Sequence, residues 1–200
     1  MEAKTERSEL TQAAIVDMAL ELASLHGLES ISIGDLAKRL NLSKSGVFSR
    51  VGSREALQIA VLQEFDRRFQ EDILLPALRE PRGLPRLKAI MRLWLERASR
   101  ADARGNCLYA AGAFEFDDRE GVLRDHLLTG VKRWRQALRR CVLQAVEVGH
   151  LRNDCDADQL VFELDGLFAA LVREIRFMRE PQASPRGWAA FENLLSRYLS

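Results

Sequence analysis

Between Ser32 and Val51 the chain runs SIGDLAKRLNLSKSGVFSRV, and few folds suit that order of residues. Ser32 and Asp35 stand at capping-box spacing, with Asp in place of the usual Glu, and open a helix. Leu36 and Leu40 give that helix one apolar face, and Ala37 is small enough for a second helix to cross close by. Asn41 is, after Gly, the residue most at ease at the positive φ that a tight turn between helices requires. Ser43 caps the next helix and Gly52 breaks it. Ile33, Leu36, Leu40, Leu42 and Val47 fall where they would pin the pair onto a preceding helix. The segment therefore predicts a helix-turn-helix over about 32–51, a motif that places the start of its second helix in the major groove of DNA.

The remainder also reads as helix, with 3.6-residue periodicity throughout and little strand-like alternation. A first helix is predicted from about Ser8 to His26, with Leu10, Ala14, Met18, Leu22 and Leu25 as its stripe and Gly27 as its stop. Ser53 caps a fourth helix through Phe65 and Phe69 towards Leu75, which Pro76 should end, and Pro76 to Pro85 reads as a connector. Further helices are expected over about Leu84–Ser99, Cys107–Phe116, Arg119–Val148 and Asp156–Arg179, with a last one holding Trp188, Phe191, Leu195 and Tyr198. This is an all-α chain of about nine helices. A three-helix unit over 1–54 is followed by a helical body over 55–200.

Composition neither supports nor opposes a nucleic-acid partner, because 30 basic and 29 acidic residues leave a net charge of +1. The placement of charge is more informative. From Lys38 to Arg54 the basic residues Lys38, Arg39, Lys44, Arg50 and Arg54 meet no acid, although acids slightly outnumber bases over residues 1–55. Such a local cluster on a short protruding element is what phosphate contact needs. The N-terminus MEAKTERSEL lacks the apolar core of a signal peptide, and no run is long enough to cross a bilayer, so a cytoplasmic chain without a membrane partner is expected. Cys107, Cys141 and Cys155 are odd in number and match no zinc or CxxC spacing, which fits reduced thiols.

An enzyme is disfavoured. His26, His126 and His150 are scattered, and no catalytic triad, phosphate loop or HExxH motif is visible. Glu115, Asp117 and Asp118 could be read as metal-binding acids, but near a helix end they fit solvated groups better. Neither a metal nor a cofactor is expected.

The run Gly27 to Leu57, GLESISIGDLAKRLNLSKSGVFSRVGSREAL, resembles the N-terminal domain of TetR/AcrR-type regulators. The matching marks are Gly27, Ser32, Asp35-Leu36-Ala37, Leu42-Ser43-Lys44, Gly46, the aromatic Phe48, and Ser53-Arg54-Glu55 with Leu57. The stretch Cys107 to Asp118, CLYAAGAFEFDD, is similar to a segment in one branch of these regulators. The resemblance implies that Ser32 and Arg54 touch phosphates, and that Lys44, Ser45 and Gly46 meet DNA at the start of the recognition helix. It places Phe48, Ser49 and Arg50 along the groove or its phosphates. Here the sequence departs from the family, which usually has Tyr at Phe48, and commonly His at Arg50 and Phe at Val51. Gly34 stands where a polar contact residue is frequent.

The resemblance also implies a ligand-responsive body and a double-stranded DNA operator. Trp94, Leu108, Phe114, Trp134 and Phe168 are the candidate pocket lining, with Arg97 or Glu115 as a polar anchor. A homodimer is expected through the last two helices, because one such motif reads only a half-site. Leu164, Phe168, Leu171, Ile175, Trp188, Phe191 and Leu195 are the candidate interface, with Gly166, Ala169 and Ala170 allowing close approach. The expected function is a repressor released from a palindromic operator by a small, largely apolar ligand. Two alternatives stay open: a thiol switch at Cys107, with Arg104 nearby, or an interaction module of the same fold without an operator.

Overall fold

The computed structural model describes residues 2–100 and 107–200, with side chains from Thr11 onward. The expected contribution of Leu10, the break at Arg104-Gly105-Asn106 and the place of Arg104 beside Cys107 lie outside the described residues. Within these limits the chain is all-helical, apart from one isolated bridge between Leu151 and Leu199.

Helix α1 covers Glu2–His26, and a single 3₁₀ turn, Leu28–Ser30, links it to α2, Ile33–Arg39. The Ser32 hydroxyl accepts from the Asp35 N–H at the start of α2. Asn41 takes φ 53°, the left-handed turn expected of it. Helix α3, Lys44–Val51, begins with the Ser43 hydroxyl accepting from the Gly46 N–H at 3.0 Å. Helix α4 starts at Arg54, capped in the same way by Ser53. These caps each satisfy an amide that the first helical turn leaves without a partner.

Pro76 does not end α4. The helix runs over Arg54–Phe69, widens into a π turn over Gln70–Leu74, and continues over Leu75–Leu78. The wide turn falls just before the proline, which has no N–H to donate and sits acceptably in the first turn of the last piece. The body follows with α5 (Leu84–Ala98), α6 (Leu108–Glu115), α7 (Val122–Glu147), α8 (Ala157–Val172, widening over Arg173–Phe177) and α9 (Ala183–Ser196). This makes nine helices among the described residues. None of them is long and apolar enough to cross a membrane.

Two buried clusters hold the molecule together. One fills the body with Ile90, Met91, Trp94, Leu138, Val142, Leu160, Leu164 and Phe191. The other packs Ile15, Ala19, Leu28, Leu36, Val47, Leu57, Val61 and Leu62 beneath the helix-turn-helix. This second cluster also takes in Leu108, Phe116, Leu123 and Leu127 from α6, the α6–α7 link and α7. The apolar contact is thus continuous from the recognition helix into the body. An ionic clamp reinforces it where α4 meets α1: Arg67 and Arg68 both bind Glu64, and Arg68 reaches Asp17. The hydrogen bond from Arg67, with help from Arg68 and against the cost of burial, holds the Glu64 carboxyl down at about 2.

Candidate functional site

The exposed side of α3 carries Lys44, Ser45, Phe48 and Ser49, while Val47 turns inward to the core. Phe48 is 57% exposed, an apolar ring projecting from a surface helix and left uncovered by the described residues. The Ser49 hydroxyl donates back to the Gly46 carbonyl, and Ser45 shares a hydrogen bond with Ser43. Gly34 has a structural use on α2: a Cβ there would come within 3.2 Å of the Lys44 Cε, so its absence lets the lysine stem lie across α2. Lys38, Arg39 and Lys44 are exposed and make no ion pair or hydrogen bond among the described residues.

The two arginines expected to serve phosphates are already engaged within the chain. Arg50 donates to the Gly46 carbonyl at 2.7 Å, one turn back on its own helix. Arg54 donates to the carbonyls of Ile31 and Glu29 and pairs with the Glu29 carboxylate at 3.4 Å. Arg54 therefore braces the α1–α2 corner. The charges free for phosphate are Lys38, Arg39 and Lys44. Replacing Lys44 with Ala should weaken specific and non-specific DNA alike and lower the slope of log K against log salt by about one unit. Binding titrations at a series of salt concentrations read both effects, and a changed base preference at constant slope would assign Lys44 to base reading instead.

The α1–α2 corner is also where the body grips the DNA-reading unit. The Glu115 carboxylate, at the end of α6, accepts from the N–H of Leu28 at 3.1 Å and of Glu29 at 2.8 Å. Arg119 pairs with Glu29 at 3.3 Å, and the Gln58 amide donates to the Leu28 carbonyl. Burial works against the Glu29 charge, yet the guanidiniums of Arg54 and Arg119 together hold its carboxyl below the usual range. Glu115 is thus not the polar anchor of a pocket, because both its oxygens are committed to backbone amides.

A cavity of about 570 Å³ opens in the body between α4, α6, α7 and α8. Trp94, Phe114, Trp134 and Phe168 line it, as do Phe65, Phe69, Cys107, Tyr109 and Asp165. Phe114 stands 78% exposed at its edge. Two other expected lining residues lie elsewhere. Leu108 is buried in the cluster beneath the DNA-reading unit, because its side of α6 faces that unit. Arg97 turns to the seam against α1, where it pairs with Asp72 and lies over the Phe65 ring at 5.2 Å. The sequence reading missed Tyr109. Its ring fits only because residue 130 is glycine, where a Cβ would come within 2.1 Å of the ring. Among the described residues the buried Tyr109 hydroxyl makes no well-formed hydrogen bond, with Asp66 and Arg133 beside it.

The candidate interface residues point the other way from expectation. Leu164, Phe168, Leu171, Phe191 and Leu195 are buried inside the single chain, while Ile175 and Trp188 pack half-buried against the same core. One chain buries this side of α8 and α9 because α5 and α7 cover it. The opposite faces are bare: Phe162, Gly166 and Ala170 on α8, with Ala169 at their border with the cavity, and Ala189 and Ala190 on α9.

Comparison with known proteins agrees with this architecture. Residues 15–61 match the family described as "Bacterial regulatory proteins, tetR family". Residues 83–191 match the "Tetracyclin repressor-like, C-terminal domain". The chain is 24% identical over 169 residues to the HTH-type transcriptional repressor DhaR of Mycobacterium sp. (strain GP1), covering 84% of each protein. Among solved structures it is similar to a TetR transcriptional regulator from Chloroflexus aurantiacus J-10-FL, with TM-score 0.88, 20% identity, and 97% and 98% of the two chains covered. It is also similar to AibR in complex with isovaleryl coenzyme A and operator DNA, with TM-score 0.70, 20% identity, and 92% and 96% covered. With family matches over both its DNA-reading unit and most of its body, this chain belongs to the tetR family of bacterial transcriptional regulators.

Proposed function

We propose that the protein is a repressor that binds a palindromic operator as a homodimer and leaves it when a small, largely apolar ligand fills the cavity of the body. The observation that carries this reading is the position of α6. One face of this short helix lines the cavity through Tyr109, Ala110, Ala113 and Phe114, and its last residue, Glu115, holds the α1–α2 corner. A ligand that favours one placement of α6 over another then favours one placement of the recognition helices, as any effector must. Among similar proteins, one is named a repressor and another is described with both an acyl-coenzyme A and operator DNA. Dimerisation falls to the bare faces of α8 and α9. Gly166, Ala169, Ala170, Ala189 and Ala190 would let two copies approach closely, and Phe162 would be covered.

The thiol switch has less support. Burial pushes the Cys107 thiol up from its ordinary range, whereas a reactive thiol needs a lowered value.

The test is selection of duplex DNA from a random pool by the folded protein at moderate salt. An inverted repeat with half-sites about one helical turn apart is the expected product. A single half-site would contradict the dimer, and no enriched sequence at all would favour an interaction module.

A further inference from the structure

Two charges of the cavity wall, Asp165 and Arg140, have no hydrogen bond or ion pair among the described residues, and of the two only Asp165 is half-buried. Asp165 lies on α8 on the same face as Phe168, Ala169 and Val172, and its half-buried side chain lines the wall. No hydrogen bond or ion pair reaches its carboxylate among the described residues, and Arg135 on α7 acts on it only at longer range. Burial accordingly raises the Asp165 carboxyl above its ordinary value. The other charges of the lining are accounted for. Arg133 is neutralised by Asp66 at 2.6 Å, and Arg140 is exposed to water.

Around this carboxylate the walls are aromatic. Trp94 meets Phe168 edge-to-face with centroids 4.5 Å apart, Phe168 meets Trp134 at 5.5 Å, and Trp134 meets Phe69 at 5.2 Å. Aromatic rings attract a desolvated cation placed over their faces. A negatively charged ligand would meet the unpaired carboxylate, which water screens only in part. A neutral ligand would cover the half-buried carboxylate without pairing it.

We propose that the cavity takes a lipophilic organic cation, a bulky amine or onium ion whose charge sits against Asp165 and whose apolar body lies among Phe69, Trp94, Trp134 and Phe168. This rests on the reading of the cavity as the effector site and names the chemical class of that effector. The volume, about 570 Å³, suits a ligand of several rings.

Tetraphenylphosphonium and tetraphenylborate test the charge directly, since they have nearly the same shape and opposite sign. Binding is read by calorimetry and by quenching of Trp94 and Trp134 fluorescence. The phosphonium should bind the full-length protein at least about tenfold more tightly than the borate, and Asp165→Asn should remove most of that preference. Because the preference is a ratio within one protein sample, it holds its meaning even if the variant is somewhat less stable. Borate binding as tight as phosphonium, or Asp165→Asn leaving the ratio unchanged, would overturn the proposal. Failure here is separable from failure of the effector reading. If a neutral apolar probe such as naphthalene releases operator DNA and the phosphonium does not bind, the cation is wrong and the effector cavity stands. If the phosphonium binds through Asp165 and never changes operator affinity, the cation site stands and the effector role falls.

Discussion

Glu115→Ala is expected to bind operator DNA about tenfold more weakly than the parent protein and to lose most of its response to a cavity ligand. The carboxylate accepts two backbone N–H groups at 3.1 and 2.8 Å, and hydrogen bonds to a charged group each contribute roughly 1.5–3 kcal/mol. Removing it leaves the Leu28 amide part-buried with no acceptor, and loosens the residues whose carbonyls hold Arg54. That corner leads directly into α2, so disorder there reaches the placement of the recognition helix. Two effects should appear together in operator titrations with and without ligand: weaker binding overall, and a ratio of the two affinities closer to one. Amide exchange at Leu28 and Glu29 should speed up while α8 and α9 keep their protection. If Glu115→Ala keeps the parent's ligand response, the coupling runs through α4 alone and the clasp is merely structural.

The helix-turn-helix was legible because the rules that build it act over a few residues. Ser32, Asn41 and Ser43 each satisfy or bend the backbone next to them, and each does in the structure what its type predicts. The clasp could not be read in this way. Glu115 is 86 and 87 residues from its partners; near Asp117 and Asp118 it reads as a solvated acid, and beside the aromatic residues as a pocket anchor. Periodicity showed that α8 is apolar over a wide face. It could not say which part of that face the chain itself would cover, so Leu164 and Leu171 read as interface while the exposed Phe162 is not singled out. Pro76 misled for a related reason. A proline ends a helix whose hydrogen bonds follow the regular i→i−4 pattern, and the widened turn over Gln70–Leu74 changes that pattern just ahead of it. Asp165 gave no local signal, because its isolation is a property of what surrounds it in space.

Leu36→Ala should cause the largest loss of stability among these variants. Leu36 is fully buried in the cluster that joins α1, α2, α3 and α4, and removing a buried leucine side chain costs roughly 2–5 kcal/mol. For a chain of this size that corresponds to a fall in Tm of roughly 5–15 °C. The change touches no DNA-facing atom, so well below the new Tm the salt slope of operator binding should equal the parent's. Near the Tm, apparent affinity should fall in proportion to the folded fraction. Lys44→Ala should show the reverse, an unchanged Tm with a reduced slope. The shape of the melt carries further information. The cluster under the helix-turn-helix includes Leu108, Phe116, Leu123 and Leu127 from the body, so loss of the DNA-reading unit exposes apolar surface on the body as well. Leu36→Ala should therefore lower a single cooperative transition, followed by calorimetry and circular dichroism together. A melt that splits in two, with the upper step at the parent's temperature, would show that the body stands without its DNA-reading unit and that the shared cluster does not unite them.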